Sequence, residues 1–381
     1  MQYINFGQTG LKVSRFGMGC MRFPKIKSGN GEEVIDEQEV IKMVRYAIDN
    51  GVNYFDTAYT YAGSELVLGK ALKDGYREKA IIATKLPVWK AKNYKDYEKL
   101  LDEELQRLQV DCIDIYLLHN LTQTYWESVK ELDGIRFINE AKKQGKIRYK
   151  GFSIHGDFEL FKEIIDANDW DMCQIQLNIL DIKHQVGLEG LRYAASKGLP
   201  VVIMEPLRGG TLVQGIPEQV KSIWNKAKVK RSPAEWCFRW LYNIPEVTVI
   251  LSGVSSMEQL RENIRIFENA QANVMSSEET ELIDEVRNIY ESMANVRCTG
   301  CKYCMPCPEG VEIPEIFKLY NDMKTLNQSG HCSTLYEYMI LDSGKGADRC
   351  VECGSCETQC PQEIKIIQKL KEAHLALKGS S

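Results

Sequence analysis

The sequence predicts an α/β protein in two parts: a parallel (β/α)8 barrel over residues 1–295 and a small, mainly helical module over 296–381. Three observations carry this reading. Short apolar runs alternate eight times with helical patterns in under 280 residues, the order and length of such a barrel. Several runs are apolar without alternation, as in strands covered on both faces. Cysteine is split, with four of thirteen in the first 297 residues and nine in the last 84, while a single core stops growing near roughly 300 residues.

The chain opens with a hairpin over 1–13, in which Gln8-Thr9-Gly10 supplies the turn. The first barrel strand is RFGMGCM (15–21), followed by a helix at 39–51 whose Val40, Met43, Val44 and Ala47 share one face before Asn50-Gly51 ends it. NYFDTA (53–58) precedes a helix at 64–72, AIIATKL (80–86) one at 94–108, and CIDIYLLH (112–119) one at 126–143. IRYKGFSI (147–154) precedes a helix at 157–167, and MCQIQLNI (172–179) one at 187–197. PVVIMEP (200–206) leads through a Gly/Lys-rich loop to a helix at 232–242, and VTVILSG (247–253) leads to one at 256–268. An open doubly wound sheet is the alternative, but no G-x-G-x-x-G follows the first strand.

Composition excludes several classes. With 44% hydrophobic and 27% charged residues, neither a disordered nor a fibrous chain fits. No apolar run approaches the length of a membrane span. The first residues lack the basic and apolar regions of a secretory signal, so a cytoplasmic protein is expected. A net charge of −5 gives no general attraction to nucleic acid. In a reducing compartment the cysteine clusters read as metal or redox sites rather than disulfides.

Barrel chemistry belongs at the C-terminal ends of strands. Four polar residues stand there: Asp56 ending the second strand, Tyr61 in the loop beyond it, Lys85 ending the third and His119 ending the fourth. Each alone reads blandly, as a helix cap, a loop residue, a solvated lysine or a core histidine. A lysine and a histidine closing apolar runs are costly unless partnered, however. Together they form a proton-donating set. A phenol with a pKa near 10 is a poor acid, a nearby ammonium favours its phenolate, and a carboxylate holds that ammonium in place. An imidazole orients a carbonyl oxygen, and a cofactor must supply the hydride, since no side chain does.

These residues resemble the aldo-keto reductase superfamily from about residue 3 to 290: Asp56-Thr57-Ala58-Tyr59-Thr60-Tyr61, Thr84-Lys85 and Leu117-Leu118-His119. The resemblance implies a catalytic tetrad of Asp56, Tyr61, Lys85 and His119 on a TIM barrel, with NADP or NAD lying across its mouth. It places the coenzyme against Met21, Asp56, Ser153, Gln174 and Met204, along Pro206, Leu207 and Gly209, and at its adenosine end on Gly253, Ser255, Gln259 and Asn263. Three positions depart from the family pattern. Ile154 stands where many members have Asn, and Met204 where an aromatic usually stacks. Gly253 and Gln259 stand where many carry Lys and Arg for a 2′-phosphate, which leaves the choice of coenzyme open; Arg261 or the Lys226, Lys228, Lys230 and Arg231 group is the candidate substitute, although that group reads first as a solvated loop.

In the tail, Cys298-x2-Cys301-x2-Cys304-x2-Cys307-Pro and Cys350-x2-Cys353-x2-Cys356-x3-Cys360-Pro follow the bacterial ferredoxin spacing, in which the fourth cysteine of each run serves the other cluster. The first run shortens its last gap by one residue. Two four-thiolate zinc sites are the alternative, though a zinc ribbon separates its pairs by a longer loop. The expected ligands are Cys298, Cys301, Cys304 and Cys360 for one [4Fe–4S] cluster, and Cys350, Cys353, Cys356 and Cys307 for the other. Helical patterns at 313–325 and 333–341 lie between the runs, and Cys20, Cys112, Cys173, Cys237 and Cys332 read as packed thiols. The whole chain resembles aldo-keto reductases with a C-terminal ferredoxin-like iron–sulfur domain.

The sequence thus points to an NAD(P)(H)-dependent oxidoreductase acting on a small carbonyl or alcohol, with clusters serving a ferredoxin-like redox partner. Two alternatives stand beside it: structural or redox-sensing clusters, and a non-catalytic, cofactor-sensing barrel. Hydride moves electrons in pairs and each cluster takes one, a mismatch that a flavin usually resolves; no flavin motif is recognisable. Neither nucleic acid nor membrane is an expected partner, whereas a second copy of the chain is an open one.

Overall fold

The computed structural model describes residues 1–29, 31–293, 296–325 and 329–378. Its eight parallel strands close into a barrel in sequence order: β1 (Phe16–Gly19), β2 (Tyr54–Asp56), β3 (Ile81–Leu86), β4 (Ile113–Leu121), β5 (Ile147–Ile154), β6 (Met172–Gln176), β7 (Val201–Met204) and β8 (Val247–Gly253). Side chains alternate in and out along each strand. Tyr54, Ala83, Ile115, Leu117, Met172, Val202, Val249 and Leu251 form one interior cluster with Phe6 and Val13 of the N-terminal hairpin. That hairpin, Tyr3–Asn5 paired with Lys12–Ser14, sits at the strands' N-terminal end, where Tyr149 donates to Thr9 O (2.8 Å). The interior is tight: a Cβ on Gly151 would lie 2.8 Å from the backbone oxygen of Met172, so only glycine lets β5 and β6 approach this closely.

Inward parity then continues toward the C-terminal ends, from Tyr54 to Asp56, Ala83 to Lys85, Leu117 to His119, Gly151 to Ser153 and Met172 to Gln174. The chemistry-bearing residues therefore share one end of one cavity. Side-chain caps start several outer helices: Asp36 accepts from Glu39 N, Thr122 from Tyr125 N, Asp157 from Leu160 N and Ser256 from Gln259 N, and Asn93 closes a capping box with Asp96.

Local differences from the sequence reading have identifiable causes. The single helix expected at 126–143 is two, Gln123–Glu131 and Gly134–Lys143, parted by Asp133 at φ 57°. A helix, Glu218–Lys226, occupies part of the expected Gly/Lys-rich loop. An exposed hairpin, Lys25–Lys27 with Glu33–Ile35, follows β1; its one apolar cross-strand pair, Ile26 with Val34, is exposed and too short to announce it.

The chain divides into two compact units, Met1–Pro206 with Cys237–Met275, and Leu207–Trp236 with Ser276–Ser381. The domain boundary expected at residue 295 lies outside the described residues. In the tail, helices Ile313–Thr325 and Ile366–Lys378 bury Ile316, Phe317, Tyr320, Leu370, Ala373 and Leu377 in a core that also packs against six of the motif cysteines. The helical pattern expected at 333–341 is a helix, Ser329–Leu335, that widens into a π-helical turn, Tyr336–Leu341. Tyr336 is pinned there by His374 Nδ1 (2.7 Å) and by Ala347 N–H (3.2 Å). Among the described residues no helix is long and apolar enough to cross a membrane.

Candidate active site and thiol sites

At the C-terminal end of the barrel, Lys85 Nζ donates to Asp56 Oδ1 and to Thr57 O, each at 2.6 Å, and the lysine is 1% exposed. This burial is tolerable because the charge is paired and hydrogen-bonded. The ammonium lies 5.1 Å from the Tyr61 ring centroid, and His119 meets that ring edge-on at 6.2 Å. Tyr61 is positioned by a turn, its N–H donating to Ala58 O (3.0 Å) and its carbonyl accepting from Ser64 N–H (2.8 Å) as the next helix starts. Trp89 lies 5.3 Å from His119 and stacks on Tyr125 at 5.3 Å, giving the mouth an aromatic wall.

Burial dominates the electrostatics. It raises the Asp56 carboxyl pKa against the opposing pull of Lys85. It raises the Tyr61 phenol well above its ordinary value, with Asp56, Glu205 and Cys20 adding to the rise and Arg22 opposing it. The sequence argument that an ammonium lowers this phenol is therefore reversed in the folded chain: desolvation and the neighbouring carboxylate win. Burial also holds His119 neutral, its pKa well below 6.5, with Lys85 and His155 reinforcing the shift. His155 is lowered to about 4, chiefly by burial, and its Nδ1 lies 3.2 Å from Gln185 Oε1.

Of the remaining predicted contacts, Ser153 and Gln174 stand at the C-terminal ends of their strands. Ser153 on β5 and Gln174 on β6 are paired neighbours. Gln174 Nε2 reaches the Met204 sulfur at 3.7 Å, while its Oε1 is buried with no hydrogen-bond partner among the described residues. That unmet acceptor suits an amide N–H of a nicotinamide carboxamide. Asp56 Oδ2 is likewise buried without a partner. Met21 lies exposed on the 3-10 turn Cys20–Arg22. Gly253 closes β8 beside the Arg22 side chain, a cation at the mouth that the sequence reading passed over. Gln259 Oε1 accepts from Ser255 N (2.9 Å) and Oγ (3.2 Å), and Asn263 is buried, donating to Ser252 Oγ (3.0 Å). Pro206 ends the first unit; Leu207 and Gly209 belong to the second, where Gly209 at φ 66° lies in the turn Arg208–Gly210.

The basic group considered for a 2′-phosphate is engaged within its own unit: Lys226 pairs with Glu285, Lys228 with Glu278, and Arg231 with Glu235 and Glu279. Lys230 donates to Asn225 O and Ala227 O. Arg261 lies over the Tyr46 ring.

In the tail, Cys298, Cys301, Cys304 and Cys360 line one cavity of about 310 Å3, counted to its open side, together with Ile313, Pro314 and Phe317. Cys304 is raised by burial first and then by Cys301, Cys298 and Cys360. Cys356 is raised to about 11 by burial, with Cys350 and Cys307 contributing. Each run's last cysteine thus keeps company with the other run. Among the described residues no three His, Cys, Asp or Glu side chains gather as closely as a single metal ion needs. Of the other cysteines, Cys20, Cys173, Cys237 and Cys332 are buried and Cys112 is half-buried.

A closed barrel with Asp, Tyr, Lys and His at its open end defines a reductase-type oxidoreductase. Residues 15–288 match the profile of the Aldo/keto reductase family, and the chain belongs to that family; residues 297–365 match the 4Fe-4S dicluster domain. The NADH-specific methylglyoxal reductase of Escherichia coli is 29% identical over 69% of this chain and 93% of its own length. L-galactose dehydrogenase of Arabidopsis thaliana is 29% identical over 76% of this chain and 94% of its own. Among solved structures, an aldo-keto reductase of Bacillus halodurans in its holo form has a TM-score of 0.63 and 26% identity, covering 75% of this chain and 96% of its own.

Proposed function

We propose that the barrel interconverts a small carbonyl and its alcohol with NAD(P)(H), using Tyr61 as the proton donor and acceptor. The observation that carries this is the buried Lys85–Asp56 pair lying beside Tyr61, with His119 edge-on to the same ring. A bound nicotinamide supplies or takes the hydride at the substrate carbon. In the reducing direction Tyr61 is protonated at neutral pH, because burial raises its pKa, and it can give its proton to the oxygen that becomes alkoxide. Lys85 faces the phenolate as it forms, and Asp56 and Thr57 O hold the ammonium at that place. His119, neutral, orients the carbonyl oxygen without adding a competing charge. Two neighbours by sequence, a methylglyoxal reductase and a sugar dehydrogenase, support a small polar carbonyl or hydroxyl substrate.

For the tail, the proposal is two [4Fe–4S] clusters, on Cys298, Cys301, Cys304 and Cys360 and on Cys350, Cys353, Cys356 and Cys307, exchanging electrons with a redox partner. The shared cavity of the first set supports it. The test of the barrel reading is carbonyl reduction by wild type and by Tyr61→Phe. The variant is expected to lose about 10²–10⁴-fold in kcat, the range for general acid catalysis, while dinucleotide affinity stays within about threefold, as for a group acting mainly in the transition state. Equal turnover in the two proteins would remove Tyr61 from the role.

A further inference from the structure

Asn120, which follows His119 and which the sequence reading left out, is 3% exposed and holds φ 57°, a left-handed backbone that Asn accepts more readily than most residues. The pairing of β4 with β5 slips here. Leu118 faces Phe152 and Leu121 faces Ile154, so His119 and Asn120 together oppose Ser153. Such a bulge breaks strict alternation and re-aims a side chain. The Asn120 N–H donates to Ser153 Oγ at 2.8 Å, which leaves the Ser153 hydroxyl proton available for another acceptor. Asn120 Oδ1 is buried and has no hydrogen-bond partner among the described residues.

Three adjacent strands thus carry a specific set: unmet acceptors on Asn120 Oδ1 of β4 and Gln174 Oε1 of β6, with the Ser153 hydroxyl on β5, the strand between them. A buried acceptor left unmet costs roughly 1–3 kcal/mol, so two of them beside one hydroxyl call for a ligand with two donors and an acceptor. A primary carboxamide has that inventory, two N–H groups and one C=O. We propose that Asn120 is a coenzyme-binding residue, its Oδ1 accepting one carboxamide N–H of the nicotinamide while Gln174 Oε1 accepts the other and Ser153 donates to the carbonyl. Ile154, fully buried and apolar, has no polar group to offer at the next position, and the bulge supplies that partner from β4 instead. The assignment rests on the oxidoreductase reading above and adds to it a residue outside the tetrad.

The experiment measures dissociation constants by fluorescence titration of the full chain with NADH, with NADPH in parallel, and with the 3-acetylpyridine analogue of each. In that analogue the amide nitrogen is a methyl group and the carbonyl is kept. Asn120→Gly preserves the left-handed backbone and removes the acceptor. It is expected to bind the nicotinamide coenzyme about tenfold more weakly, the loss of one buried hydrogen bond, and to bind the analogue as wild type does. Asn120→Asp keeps an oxygen acceptor and is expected to stay within about threefold of wild type for the nicotinamide form. Unchanged NADH and NADPH affinity in Asn120→Gly, an equal loss for the analogue, or a tenfold loss in Asn120→Asp each overturns the assignment. A wild-type protein that binds neither dinucleotide overturns the oxidoreductase reading as well; one that binds, with an unaffected glycine variant, overturns this assignment alone.

Discussion

The barrel's catalytic end and the tail's thiol sites hold their reactive groups by opposite means. Asp56, Lys85, His119 and Ser153 stand on strands; Asp56, Lys85 and Ser153 are fixed by the register of a closed sheet and by short hydrogen bonds inside it, and His119 stands at the bulge of β4. The motif cysteines stand on loops and short turns around a small helical core, and Cys353 is exposed. In the barrel the fold makes the site. In the tail, position is specified by covalent spacing around a helical core, and a bound cluster would tie the two cysteine runs together. Fold and site can therefore fail separately.

The largest effect expected from that difference is on metal content. Anaerobically prepared wild type should carry about eight irons and eight acid-labile sulfides, as two four-iron clusters require. Cys350→Ser with Cys353→Ser should fall to about four of each. The interleaving gives a sharper form: Cys360→Ser should perturb the same cluster signal in electron paramagnetic resonance as Cys298→Ser, and Cys307→Ser the same signal as Cys350→Ser. A pairing by run instead of across runs breaks the ligand sets. Carbonyl reduction that survives loss of the Cys350 set shows that the barrel reaction does not need electrons from that cluster.

A smaller effect tests the barrel side. An unfolded histidine takes up a proton near pH 6.5, whereas folded His155 does so only near pH 4. Between these values the unfolded chain binds more protons than the folded one, so stability is fully present above about pH 6.5 and falls as pH drops from there toward 4. His119 acts in the same direction. Asn or Gln at 155 should flatten the decline of Tm between pH 6.5 and 4 by about one proton's worth of slope. An unchanged slope would mean that His155 is not held neutral, and that burial at the mouth is weaker than the packing of Gln185 against it implies.

How much of this was readable in advance follows from the same contrast. Eight strands were legible because covered strands are apolar runs, and the tetrad because each member ends such a run. Cysteine spacing announced the tail because ligand geometry is written directly into chain length. Asn120 was not legible: a bulge is a property of two strands paired, and Leu118-His119-Asn120 read alone gives no sign that the register slips opposite Ser153. The break at Asp133 did carry a mark, the Asp133-Gly134 turn dipeptide, which a single helix over 126–143 overrides. The tyrosine pKa was misjudged because a charge pair can be named from sequence, whereas desolvation is a sum over the fold.

The smallest effect concerns the coenzyme's adenosine end. Clasping a 2′-phosphate usually takes side-chain cations, and Gly253 and Gln259 supply none. The candidate substitutes are engaged elsewhere: Lys226, Lys228 and Arg231 with carboxylates of their own unit, and Arg261 over Tyr46. Arg22 lies beside Gly253, and a cation that met only the phosphates both dinucleotides share would favour neither. The expected outcome is a kcat/KM for NADH about tenfold above that for NADPH, roughly the value of one missing charge-assisted hydrogen bond. Gln259→Arg should narrow or invert the ratio, because a guanidinium placed there can pair with the extra phosphate. A strong NADPH preference in wild type would mean that one of the exposed ion pairs opens on binding. Such pairs are worth little in water, so phosphate could displace the carboxylate at small cost. Glu278→Gln, which frees Lys228, would then raise NADPH affinity further; if it does not, Lys228 is not the phosphate's partner.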